Sequence, residues 1–341
     1  MTEKNAIKKA KWQLTTEKFL VFIIVAYCIV VTIANSEFLQ LATFFDMVKS
    51  SAGSMVVAMG LLLVIISGGI DVSFTAVAIF GGYVATKLMM STGIDNIFFG
   101  ILIACLIGLA LGLVNAVFIH VTKMEPFIIT LGTSSLFHGV VTTFIGTKNI
   151  GSLEIPSAIT KFGEAKLFQM EDGFGGIMGL SVFFVIVVLV ILVTWFILYK
   201  TMLGKGIFAL GCSIETAKRA GFSIWKTHLF IYGYMGVLAG MMGMLYIAEV
   251  NGCNPVTLVG TELMVIAAVI IGGARVSGGQ GSIFGTILGV TVMYIMKNTL
   301  ILLGFTSSWN DLFLGIILLF SIIMTSYQER RKNRSMFIFT E

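Results

Sequence analysis

Ser67-Gly68-Gly69-Ile70-Asp71-Val72-Ser73 places two glycines and a carboxylate where an apolar run would otherwise continue unbroken. The stretch has an echo, Ile271-Gly272-Gly273-Ala274-Arg275-Val276-Ser277. In a gapless register Gly68 and Gly69 fall on Gly272 and Gly273, Ser73 on Ser277, Ile79-Phe80-Gly81 on Ile283-Phe284-Gly285 and Met89 on Met293. A sustained run of this kind argues for an internal duplication. In that register Asp71 falls on Arg275, so the two copies carry opposite charges.

Around this element the composition is that of a membrane. Of 341 residues 57% are hydrophobic and 11% charged, with a mean hydropathy of +1.00, which excludes an ordinary soluble domain. A hydrocarbon core of about 30 Å needs roughly 20 apolar residues per helix. Three prolines and the lack of short alternating segments argue for helices and against a barrel. The expected fold is an all-α polytopic bundle, with spans near 19–35, 47–67, 72–90, 97–120, 127–146, 176–199, 227–248, 259–274, 281–303 and 309–327. The basic segment before the first of these, with no small-residue cleavage site behind it, reads as leading into a retained span.

Charge orients the bundle. The segment 147–175 carries Glu154, Glu164, Glu171 and Asp172, whereas 200–226 carries Lys200, Lys205, Lys218, Arg219 and Lys226 against Glu215. With basic residues also near both ends of the chain, the positive-inside rule puts the termini and 200–226 in the cytoplasm and 147–175 outside. Gly108 and Gly112, and Gly236 and Gly240, have the small-x-x-x-small spacing that lets helices approach closely. Four cysteines without ligand spacing read as packing residues.

Within the basic loop, residues 211–222 read as a short helix, with Ser213 as its cap, Glu215 in its first turn, Lys218 and Arg219 near its end and Gly221 as its terminator. Taken alone, it is either an ordinary amphipathic loop or a docking device for a soluble partner.

Five motifs in order resemble the ribose-type permeases of ABC importers, within the branched-chain amino acid/ribose permease superfamily. They are Gly68–Ser73, Glu125-Pro126-Phe127-Ile128-Ile129-Thr130-Leu131-Gly132, Glu215-Thr216-Ala217-Lys218-Arg219-Ala220-Gly221-Phe222-Ser223, the run from Glu262-Leu263 to Gly272-Gly273, and Gly278-Gly279-Gln280-Gly281-Ser282-Ile283-Phe284-Gly285. The resemblance covers roughly residues 53–327. Phe74-Thr75 and Ala274-Arg275-Val276 depart from the family's usual residues.

The resemblance implies a single permease domain of about ten helices, of the vitamin B12 importer (type II) kind, with repeat halves near 47–146 and 227–327 and a coupling loop at 200–226. It implies a translocation path past Gly68, Gly69, Asp71, Ser73, Thr130, Gly272, Gly273, Arg275 and Ser277. It also implies coupling to an ATPase through Glu215, Ala217, Lys218, Arg219 and Gly221. The implied partners are cytoplasmic ATP-binding cassette subunits, an extracytoplasmic solute-binding protein and a second permease, identical or not, in the lipid of the bacterial cytoplasmic membrane.

This chain has no G-x-x-x-x-G-K-[ST], so ATP and Mg would be bound by the partner; no metal site, cofactor, nucleic-acid role or catalytic centre is expected in it. A simple sugar is the implied solute, with autoinducer-2 or nucleosides as alternatives within the family. An ion-coupled secondary transporter is the alternative from another class, disfavoured by scarce intramembrane carboxylates. For Asp71 and Arg275 two readings stand: the repeat copies face each other and the charges pair across a gate, or each side chain reaches separately towards the cytoplasmic surface.

Overall fold

In the computed structural model, residues 3–171, 177–258 and 260–304 are described, with isolated positions as far as 319. The last expected span, 309–327, and the basic tail lie largely or wholly outside the described residues.

Helices form where the apolar windows predict them. α1 (Glu3–Ala34), α2 (Leu41–Ile66), α3 (Phe74–Thr92), α4 (Ile97–Thr122) and α5 (Pro126–Val140) precede the long polar segment. That segment holds α6 (Ser157–Glu164) and a hairpin of β1 (Met170–Glu171) and β2 (Ile177–Met178). α7 (Phe183–Lys200), α8 (Met202–Cys212), α9 (Ile214–Arg219), α10 (Ile224–Val250), α11 (Glu262–Ile271) and α12 (Ile283–Leu302) complete the described chain. Seven described helices are long and apolar enough to cross a membrane.

α11 differs from expectation. The apolar window 259–274 predicts a span, yet the helix has ten residues and a length of about 15 Å, half of what a bilayer core requires. Irregular backbone at 251–258 and 260–261 precedes it. Such a break is tolerated at membrane depth only where protein or a water-filled cavity surrounds it.

α2 and α10 form the centre. From Ala52 to Ile66 every residue of α2 is buried, as befits a helix that is apolar on all sides and enclosed by others. α10 packs against α4, α3 and α2. The two small-residue motifs meet each other: a Cβ on Gly108 would lie 2.1 Å from the Gly236 carbonyl oxygen, one on Gly112 2.2 Å from that of Tyr232, and one on Gly240 2.1 Å from that of Ala104. The backbones of α4 and α10 thus touch directly over two turns. α4 and α7, by contrast, leave Leu102, Leu106, Leu189 and Leu192 exposed, an apolar surface suited to lipid.

The polar segment folds over one end of this core. Ile150 pairs antiparallel with Cys253, and Gly163 of α6 abuts the Ala248 carbonyl of α10. Asp95 accepts hydrogen bonds from the Ser157 hydroxyl and the Ala158 N–H at the start of α6, and these hold its carboxyl below the usual range. The segment 147–175, expected outside, is therefore joined to the turn 251–255 that follows α10.

Gly236→Leu should drive a side chain into the α4 backbone and cost about 3 kcal/mol or more, seen as a lower melting temperature and membrane yield. Gly132→Ala, on α5 where a Cβ meets nothing within 4 Å, should be neutral or stabilising by up to about 1 kcal/mol in the same assay.

Candidate functional site

The two glycine turns are built alike. α2 ends with the Gly68 N–H donating to the Ile65 carbonyl and the Gly69 N–H to that of Val64. α11 ends with Gly273 donating to Ile270 and Ala274 to Val269. Each is the double hydrogen bond of a Schellman cap, which needs a left-handed residue at its first position past the helix. Gly68 (φ 90°) and Gly273 (φ 92°) supply it.

This geometry corrects the sequence register by one residue. Gly68 matches Gly273 and not Gly272, so Asp71 corresponds to Val276, and Arg275 corresponds to Ile70. The following helices match only after a further slip: Val77 donates to the carbonyl of Ser73 at the start of α3, and Thr286 to that of Ser282 at the start of α12. The second turn is the longer one.

The turns do face each other, through backbone. A Cβ on Gly278 would lie 2.9 Å from Gly68 Cα, and the Gly279 N–H donates to the Ile66 carbonyl at 2.8 Å. A third element closes on the same point: a Cβ on Gly211, near the end of α8, would lie 1.8 Å from the Ile66 oxygen and 2.5 Å from the Gly279 nitrogen. Gly272 packs against Gly285, 2.5 Å from its carbonyl oxygen to a notional Cβ. Three chain segments thus cross where none can carry a side chain.

Asp71 does not pair with Arg275. Its carboxylate, 2% exposed, accepts from the Ser73 N–H and the Ser73 hydroxyl, both at 2.7 Å. Asn115 of α4 donates its Nδ2 to the same hydroxyl at 2.7 Å. Thr130 of α5 binds the turn on its other side, its Oγ1 accepting from the Val72 N–H and donating to the Ile70 carbonyl, each at 3.2 Å. Gly69 leaves room for the hydroxyl of Tyr232 on α10 and for Pro126. Of the residues singled out in the sequence, Gly69, Asp71, Ser73 and Thr130 therefore form one buried knot with Asn115, while Gly68 at the turn's start is exposed. Gly272, Gly273, Arg275 and Ser277 lie in the second turn, where the Arg275 N–H donates to the Gln280 carbonyl.

A neighbouring contact escaped the sequence reading. Glu262 accepts from the Thr75 hydroxyl and from the Gly260 N–H. It stands in the first turn of α11, where the helix dipole favours an acid, and tethers the broken segment before α11 to the start of α3. The spacing of 75 and 262 offers no signal for that contact.

The basic loop folds as its sequence predicts. Ser213 caps α9 by accepting from the Thr216 N–H at 3.3 Å, Gly221 (φ 82°) follows its end, and Ser223 caps α10. Ala217 is buried while Glu215, Lys218, Arg219 and Gly221 are exposed. α9 follows directly on α8, whose Gly211 sits in the glycine crossing. A displacement of α9 would therefore press on both turns.

The family description "Branched-chain amino acid transport system / permease component" matches residues 43–322, which include every element of this site. The chain belongs to that permease family. The permease is 31% identical to the ribose import permease protein RbsC of Bacillus subtilis (strain 168) over 296 residues, 87% of this chain and 88% of that one. It is 27% identical to the D-allose transport system permease protein AlsC of Escherichia coli (strain K12), covering 95% and 96% of the two chains. It is also 29% identical to the autoinducer 2 import system permease protein LsrD of Yersinia pseudotuberculosis serotype O:1b (strain IP 31758), covering 96% and 95%. No solved structure matches it. As a permease it is a multi-pass membrane protein and not itself an enzyme.

Ser73→Ala removes one of the two donors to Asp71 and strands the Asn115 amide, and should cost about 1–3 kcal/mol in thermal unfolding. Exchanging the charges at 71 and 275 in a double variant should give additive loss of transport with no rescue, since the two do not pair. Gly211→Ala should lower transport at least tenfold while Gly221→Ala, which meets open space, loses about 1 kcal/mol of stability through its left-handed backbone alone.

Proposed function

We propose that this permease is the transmembrane subunit of an ATP-binding cassette importer. It forms the pathway by which a simple sugar, ribose- or galactose-like, enters the cell after delivery by an extracytoplasmic binding protein. The observation that carries this reading is α9: a capped, charged, exposed helix whose neighbour α8 is locked by Gly211 onto both glycine turns. A soluble ATPase that grips Glu215, Lys218 and Arg219 would have a rigid lever into the bundle, with ATP and Mg bound on that partner chain.

Names of relatives support the solute class, since ribose and D-allose are both neutral and polyhydroxylated. Autoinducer-2, named for a third relative, is the second reading. In the cell the subunit would pair with a second permease, like or unlike itself, in the bacterial cytoplasmic membrane. The basic loop and both termini would be cytoplasmic, and 147–175 with 251–255 would meet the binding protein. The shared Schellman turns favour a duplication of halves near 47–146 and 227–327, in an architecture of the vitamin B12 importer kind.

The test is reconstitution of the permease with its ATPase and binding protein in proteoliposomes, with uptake of labelled D-ribose, D-allose, D-galactose and autoinducer-2 followed. Sugar uptake that requires ATP and both partners is the expected result. Uptake that persists without the ATPase would overturn the ATP-driven mechanism in favour of ion coupling. Arg219→Glu, at an exposed position, should reduce uptake and coupled ATP hydrolysis at least tenfold while changing stability by less than about 0.5 kcal/mol.

A further inference from the structure

A cavity of about 190 Å³ lies between α2, α10, α11, α12 and the irregular segment before α11. It is far larger than the roughly 10–15 Å³ that one water's centre requires. Eight polar side chains line it, Ser50, Ser54, Tyr246, Glu249, Thr257, Thr261, Tyr294 and Lys297. They come from four separate stretches of sequence and converge only in the fold. Glu249 lies about 37 Å along α10 from Ile224 by the helical rise, and Tyr246 about 20 Å beyond Tyr232. The cavity is therefore at the end of the bundle remote from α9, and it is distinct from the Asp71 knot.

Its chemistry is unusual for a space within a membrane bundle. Glu249 is an acceptor and Lys297 a donor, and they do not close into an ion pair with each other. Lys297 Nζ instead stands 5.5 Å from the centroid of the Tyr294 ring. The hydroxyls of Ser54 and Tyr294 are bonded to each other at 2.6 Å, and the Tyr246 hydroxyl donates to Thr257 Oγ1 at 3.2 Å. A hydroxyl has one proton and two lone pairs, so each bonded pair keeps capacity for a further partner. Charged side chains within a membrane bundle are costly, and where they occur they mark a solute path by default.

We propose that this cavity is a binding station for a neutral, polyhydroxylated solute of monosaccharide size on its way through the permease. The inference rests on the import function proposed above and assigns the solute a specific place. Glu249 is set against Lys297 and Lys49, so its charge is compensated and holds no cation, whereas a sugar presents hydroxyls that both donate and accept. Glu249 accepts hydrogen bonds from those hydroxyls, Lys297 donates to their oxygens, and Tyr246 and Thr257 complete the set. Gly53 leaves space on the α2 wall beside Met242, where a Cβ would lie 3.5 Å from that side chain. The broken backbone ahead of α11 is then explained, because irregular chain at this depth is tolerated where it lines a polar cavity.

The experiment uses the whole transporter in proteoliposomes with four labelled probes, D-ribose, D-xylose, D-allose and D-galactose. Wild type is compared with Glu249→Gln, Tyr246→Phe and Thr257→Val, the last two each removing only a hydroxyl or its equivalent in volume. The expected result is a shift of at least fivefold in the relative uptake of the four sugars. Complex yield and basal ATP hydrolysis should stay within twofold of wild type. A purely structural role would scale all four sugars together, so unchanged ratios would overturn the station, whether absolute rates fall or not. If the wild-type transporter moves none of the four, the import reading fails and the station with it; if it moves them and only the ratios hold constant, the station alone fails.

Discussion

Direct backbone contact at glycine is the constraint on which this molecule depends. Inside a membrane there is no hydrophobic effect to press one apolar helix on another, so helices associate through close packing and hydrogen bonds. Gly108, Gly112, Gly236 and Gly240 bring α4 onto α10 at distances that would place any Cβ inside a carbonyl oxygen. Gly211 and Gly278 do the same for the two turns and the end of α8. The first set builds the core of the bundle. The second fastens the end of α8, beside the charged loop, to the interior by the same device.

Upon this scaffold polar groups are placed sparingly and almost always in company. Asp71 is enclosed, yet two donors from Ser73 meet it and Asn115 extends the chain of bonds. The carboxylate organises a tight turn, consistent with the cost of a lone charge in low dielectric. Glu262 performs a similar service between α3 and the segment preceding α11. Exceptions among the described residues include the buried atoms Asn115 Oδ1 and His228 Nδ1, which have no hydrogen-bond partner, and the cavity where Glu249 and Lys297 stand without an ion pair between them.

Two turns that match in sequence need not keep that register in three dimensions. The best gapless alignment sets Gly68 on Gly272, because neighbouring Gly-Gly pairs, serines and Ile-Phe-Gly triplets all score at once. Backbone geometry sets Gly68 on Gly273, because only one residue of each turn has to be left-handed. The apparent exchange of Asp71 for Arg275 was a product of that one-residue slip. Arg275 belongs to a turn whose longer course brings Gly278 and Gly279 to the first copy.

Apolar run length alone determined the polytopic helical class, since each full-length span announces itself in about 20 residues. Local signals were equally legible: Ser213 before α9 and Gly221 after it act on backbone groups a few residues away, so their roles follow from spacing. The small-residue pairs on α4 and α10 could be read as contact surfaces, although their partnership with each other could not. What only tertiary structure decided is everything that joins distant positions. Ser73 with Asn115, Thr75 with Glu262, Gly211 with Ile66, and Tyr246 with Lys297 around one cavity are separated by tens to hundreds of residues. Sequence periodicity records which face of a helix is apolar; it does not record which other face that one meets, and the site of this permease is made entirely of such meetings.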